Sequence, residues 1–115
     1  MRKTEVTVLA TLRLLPESIE QGMRDLLAFA RSVRKHEPAC SAIEIVQDID
    51  DPTQITMIER WFDRDAYEGT HLQTEHMKLF IERSSRFFDG PASISFCQGI
   101  VVGRDNDPAK APYGR

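Results

Sequence analysis

The chain has 115 residues, 41% hydrophobic and 29% charged, with a formal net charge of −3. That length supports one domain around one modest core, and the composition excludes a disordered or fibrous chain. The charge is spread without a basic block, and no apolar run approaches the roughly 20 residues of a membrane span, so neither nucleic acid nor membrane is an expected partner.

Residues 5–14 alternate: Val6, Val8, Ala10, Leu12 and Leu14 share one face, with Glu5, Thr7, Thr11 and Arg13 on the other. This predicts a half-buried first strand. After Pro16, the residues Ile19, Met23, Leu26, Leu27, Ala30 and Val33 recur at helical spacing and predict an amphipathic helix that Pro38 ends. Arg31, Arg34, Lys35 and His36 crowd its last turn, where cations oppose the negative end of the helix dipole, so this basic run needs no ligand. Residues 41–47 predict a second strand, "QDIDDPTQ" a turn, and residues 55–62 a third strand antiparallel to the second. Asp63 is placed to cap a short helical segment ending near Gly69. Thr70 with Gln73 makes a capping box for a second main helix, whose inner stripe is Met77, Phe80, Ser84 and Phe87 or Phe88. "DGP" at Asp89–Pro91 breaks that helix, and residues 93–102 predict a fourth strand. From Gly103 onward Gly, Pro and charge dominate, so the domain is expected over 1–102 and a loose tail or dimer arm over 103–115. Cys40 and Cys97 form no CxxC or metal-ligand spacing and read as reduced packing thiols in a cytoplasmic protein. No signal peptide is expected.

The order β-α-β-β-α-β is the split βαβ pattern: an α+β, ferredoxin-like fold with a four-stranded antiparallel sheet and both helices on one face. The third strand carries apolar groups on both sides, Ile58 and Phe62 on one and Ile55, Met57 and Trp61 on the other. The face without helices therefore predicts a homodimer packed sheet to sheet about a two-fold axis.

Candidate chemistry lies in "IERWFDRDAYEGTHLQTEHMKLF", residues 58–80. Glu59 and Trp61 project with Ile55 and Met57. Glu59 is either an acid or base whose pKa burial raises, or the partner of an arginine or a helix start. Trp61 is either core or a donor through its indole N–H. On one straight helix His71 and His76 lie roughly 140° apart, so only one of them enters a given pocket. His71 shares a face with Thr74 and Glu75 and sits in the first turn, where the dipole disfavours imidazolium; it is either a general base oriented by a carboxylate one turn away or a satisfied structural histidine. His76 lines the pocket or packs. His71 and Glu75 have the offset of two metal ligands, but the sequence places no third, so no metal is expected. Phosphate loops, nucleophile elbows and flavin or nicotinamide fingerprints are absent.

Glu59, Trp61, Asp63, Ala66, His71, Thr74, His76 and Phe80, with "EPACSAIEIVQDIDDP" upstream and "FFDGP" downstream, resemble the antibiotic biosynthesis monooxygenase family, which includes quinol monooxygenases. The resemblance runs from about residue 5 to residue 102, with one residue more than the usual family spacing between Ala66 and His71. It implies a dimeric α+β barrel that oxidises a small aromatic or quinone-like molecule without cofactors. A phenol or quinol gives a proton to a base, and its anion passes an electron to dioxygen in a dry pocket. Carried over, His71 is the base, Trp61 and Thr74 contact oxygen or substrate, and Glu59 orients; Met57, His76, Met77 and Phe80 line the pocket. Similar domains include an isomerase of a phosphorylated sugar, for which Arg60 and Arg64 are candidate clamps or plain surface ion pairs, and haem-degrading enzymes. A non-enzymatic dimeric module that binds a small ligand is the remaining reading.

Overall fold

The N-terminal alternation becomes β1 (Val6–Arg13), with Val8, Ala10 and Leu12 buried and Thr11 and Arg13 exposed. The structure, a computed structural model, describes residues 5–103. Beyond Gly103 the expected tail lies outside the described residues. After β1 come α1 (Ile19–His36), β2 (Cys40–Gln47), β3 (Gln54–Trp61), α2 (Glu75–Ser84) and β4 (Ser93–Cys97). The strands form one antiparallel sheet in the order β2-β3-β1-β4, which is the expected α+β, ferredoxin-like arrangement. β4 stops five residues earlier than the expected 102. Its Cys97 pairs with Thr7 near the start of β1, and the chain beyond finds no further ladder to join.

Both helices cover one sheet face, because the period-two pattern puts Val8, Ala10 and Leu12 of β1 with Ile55, Met57 and Trp61 of β3 on the same side. Phe29 of α1 stacks on Phe80 of α2 with ring centroids 4.3 Å apart, and Arg83 pairs with Asp25 at 2.6 Å, so the helices are tied at two levels. Gly22 permits close approach: a Cβ there would lie 2.3 Å from Leu14 Cδ2. No described element covers the opposite face, where Leu9 and Ile58 sit among Thr7, Thr11 and Thr56.

The link from β3 to α2 departs from expectation. Asp63 does cap its segment, its Oδ1 accepting the Ala66 N–H at 2.8 Å. The chain then makes a π-turn over Ala66–Thr70, closed by the His71 N–H donating to the Ala66 carbonyl five residues back. Gly69 lies inside this turn and ends nothing. A single tight turn follows over His71–Gln73, and Thr74 is extended at φ −72°, ψ 155°. There is no capping box at Thr70. Thr74 caps α2 instead, its Oγ1 accepting the Met77 N–H at 3.2 Å. A π-turn takes up one additional residue in a helical path.

Candidate active site

Three neighbouring elements build the site. On β3, Glu59 and Trp61 are 4% and 0% exposed on the helix-covered face. The indole Nε1–H donates to Glu59 Oε1 at 2.8 Å, so this carboxylate has neither an arginine partner nor a capping role among the described residues. Burial pushes the Glu59 pKa up to about 7; the Trp61 N–H opposes the rise and the nearby Glu37 charge adds to it. At neutral pH the group is poised between acid and base.

The second element is the end of α1. Glu37 immediately precedes Pro38, which biases the preceding backbone toward extended geometry, and Glu37 sits at φ −122°, ψ 90°. Its side chain is buried and reaches the third element, the turn and helix at 71–76. There His71 Nδ1 lies 2.7 Å and His76 Nε2 2.6 Å from the same oxygen, Glu37 Oε2. With Glu37 ionised, both imidazoles donate these N–H groups, which fixes the tautomers by the hydrogen-bond network. Among the described residues His71 Nε2 has no bonded partner, so it remains an acceptor. Burial lowers the His71 pKa more than the bond to Glu37 raises it, and His76 adds to the lowering. His71 is therefore neutral near pH 7. Its ring lies 4.7 Å from Trp61 and 5.0 Å from Tyr67, centroid to centroid.

Several expected roles change. His71 and His76 do enter one site, because the extended Thr74 breaks the helix and resets its phase, so the straight-helix angle does not apply. The orienting carboxylate is Glu37 rather than Glu75, whose side chain is 96% exposed, and rather than Glu59, which is committed to Trp61. The Trp61 N–H and the Thr74 hydroxyl are likewise engaged: Thr74 donates to the His71 carbonyl at 2.8 Å and caps α2. Arg64 pairs with Glu68 at 2.9 Å and covers the Phe96 ring at 3.9 Å, which is not a phosphate clamp. Cys40 is buried and its thiol is pushed up to about 11, mainly by desolvation, so it is an inert packing group. Glu37, Phe29 and Tyr67 were missed. No local signal marks Glu37, which lies 34 residues from His71 and meets it only through the packing of α1 against the turn before α2.

Beside the polar cluster lies an apolar cavity of about 460 Å³. Met77 and Phe80 line it as expected, with Tyr67, Leu72, Phe88 and Phe96, whereas Met57 is buried beneath the sheet face and does not. Neither His71, Trp61 nor Glu59 reaches the cavity wall. Tyr67 stands between, lining the cavity while its ring packs against both His71 and Trp61.

Comparison with known proteins agrees with this architecture. A family model described as antibiotic biosynthesis monooxygenase matches residues 5–83. A solved structure from Pseudomonas aeruginosa is 28% identical, aligning 88% of this chain with 99% of its own at a TM-score of 0.76. One described as antibiotic biosynthesis monooxygenase is 24% identical over 84% of this chain and 99% of its own, with a TM-score of 0.74. A conserved protein from Methanosarcina mazei is 22% identical over 81% and 90% of the two chains, with a TM-score of 0.72. No functionally curated protein matches the chain.

Proposed function

Because the chain belongs to the antibiotic biosynthesis monooxygenase family, we propose that it is a cofactor-independent monooxygenase acting on a small quinol, phenol or polycyclic aromatic with dioxygen. The observation that carries this reading is the buried, neutral His71, held by Glu37 through Nδ1 with Nε2 left as acceptor beside Trp61. A carboxylate behind an imidazole holds it in the tautomer that accepts at Nε2 and stabilises the imidazolium that forms.

In this mechanism His71 Nε2 takes the hydroxyl proton of the substrate. The resulting anion passes one electron to dioxygen, and the radical pair combines to form a carbon–oxygen bond. The peroxide then takes a proton from the His71 imidazolium. Loss of the hydrogen on that carbon as a proton, with hydroxide leaving from the hydroperoxide, breaks the O–O bond, leaving a carbonyl and releasing water. The apolar cavity supplies the dry surroundings that favour electron transfer over side reactions. Substrate meets Nε2 once the Tyr67 ring moves aside. A homodimer through the uncovered sheet face, closing a dimeric α+β barrel, completes the proposal; Leu9 and Ile58 on that face support it.

The test is oxygen consumption with a panel of reduced quinones and hydroxylated polycycles, using wild type and His71→Ala. Turnover is expected in wild type and is expected to fall by about 10²- to 10⁴-fold in the variant, with an unchanged circular dichroism spectrum. Ligand binding without turnover, unaltered by the substitution, would favour the non-enzymatic module. That second reading draws on the wall that Tyr67 places between cavity and imidazole.

A further inference from the structure

We propose that Glu37, His71 and His76 form a binding site for one divalent first-row transition ion, of the Zn²⁺ or Co²⁺ type, and that filling it switches off the base at His71. The site itself is independent of the oxygenation reading; the switch rests on it.

The three ligand atoms, Glu37 Oε2, His71 Nδ1 and His76 Nε2, lie within 4.8 Å of one another. They come from three elements: the residue after α1, the turn at 71–73 and α2. Both imidazole nitrogens already converge on one carboxylate oxygen, at 2.7 and 2.6 Å. Metal–ligand bonds of about 2.0–2.2 Å around a tetrahedral centre separate neighbouring ligand atoms by roughly 3.4 Å, so each contact opens by less than about 1 Å. Small side-chain rotations provide that. Two imidazoles and one carboxylate leave a coordination position open, and this donor set suits zinc, cobalt or nickel better than calcium or magnesium, which prefer oxygen. Among the described residues no lysine or arginine pairs with Glu37, so its charge is available to a cation.

The ion also has a way in. His76 lines a solvent-facing cleft with Ser32, His36, Glu75, Lys78 and Glu82. Glu75 and Glu82 bring negative charge to its lining, and Lys78, which also lines it, lies 4.0 Å from Glu75. This cleft shares no lining residue with the apolar cavity, so an ion and an organic substrate approach by separate routes.

The switch follows from the tautomer. With Nδ1–H donated to Glu37, the lone pair of His71 is on Nε2. An ion at Nδ1 takes a lone pair there, and the neutral ring then carries its proton on Nε2, where it donates and no longer accepts. His76 changes in the opposite sense, its proton moving to Nδ1. Neither neutral ring releases a proton overall. Substrate still enters the cavity but meets no base.

Tag-free protein stripped with EDTA is titrated with Co²⁺. The expected result is one ion per chain, with the visible absorption of a low-coordinate nitrogen–oxygen site that Zn²⁺ displaces, and a higher Tm on adding Zn²⁺. His76→Ala, at a partly exposed position, and Glu37→Gln, which keeps the side-chain shape, are expected to lose both signals. Saturating Zn²⁺ is expected to lower turnover about 10²-fold, the share a general base contributes, with recovery on adding EDTA. A wild-type protein with no saturable Co²⁺ spectrum, or a spectrum unchanged in His76→Ala, overturns the site. Turnover unaffected by bound Zn²⁺ overturns the switch. Stripped protein without turnover overturns the oxygenation reading and the switch with it, while binding is still read from the spectrum.

Discussion

Replacing Glu59 by Gln isolates the electrostatic consequence of burying a carboxylate under the helices. In the folded protein burial lifts its pKa from an ordinary 4.5 to about 7, so folding favours the protonated form. The stability this provides is complete below pH 4.5, shrinks as the pH rises, and is gone once the pH passes about 7. At about 1.4 kcal/mol for each tenfold change in proton affinity, the wild-type fold carries about 3 kcal/mol of charge burial at pH 8 that it does not carry at low pH. Gln retains a carbonyl to accept the Trp61 N–H and never ionises. Its amide hydrogens impose an offset that does not vary with pH, and the titration of His71 occurs in both proteins and cancels in their difference. Urea unfolding of both proteins from pH 5 to 8 is therefore expected to show Glu59→Gln gaining about 2 to 3 kcal/mol relative to wild type across that interval. Two parallel stability curves would refute the reasoning, because they would mean that Glu59 is ionised throughout or is reached by water.

Trp61→Phe removes the one hydrogen-bond donor to the Glu59 carboxylate among the described residues; urea unfolding at pH 8 is expected to show a loss of about 1–3 kcal/mol, and an unchanged midpoint would contradict the bond. Gly22→Ala gains up to about 1 kcal/mol in helix propensity but forces Cβ against the fully buried Leu14, at a cost of about 1–3 kcal/mol. A net fall in Tm is expected, and a rise would show that Leu14 yields freely. Ile58→Asp places a charge on the uncovered sheet face and is expected to convert a dimer to monomer in sedimentation, with circular dichroism unchanged; a dimer that persists would place the interface elsewhere.

Strand pairing was legible because a two-residue period assigns every side chain to a face. The residues between Ile55 and Trp61 put Glu59 and Trp61 on one face with Ile55 and Met57, whereas which face the helices cover emerges only from the packing. The geometry of the imidazoles was not legible, because it depends on two local breaks with weak sequence signals: the π-turn at Ala66–Thr70 and the extended Thr74. Together they turn an angle that would separate the rings into one that joins them. Glu37 was hidden for a different reason. It lies 34 residues from His71, and its significance appears only when the end of α1 is packed against the start of α2.

Tyr67 links the two halves of the site. Its ring meets Trp61 edge-on at 5.6 Å and Phe96 edge-on at 5.6 Å, so it is wedged between β3 and β4 while facing the cavity. It sits in the same π-turn that aims His71, beside the exposed Glu68, Gly69 and Thr70, and Arg64 ties this segment to β4 through the Phe96 ring. A displacement of the turn large enough to admit a flat substrate to Nε2 therefore disturbs the aim of the base as well. In the proposed chemistry the imidazole regains its alignment with Glu37 only when the turn closes again over the substrate, which expels water at the moment the proton is taken.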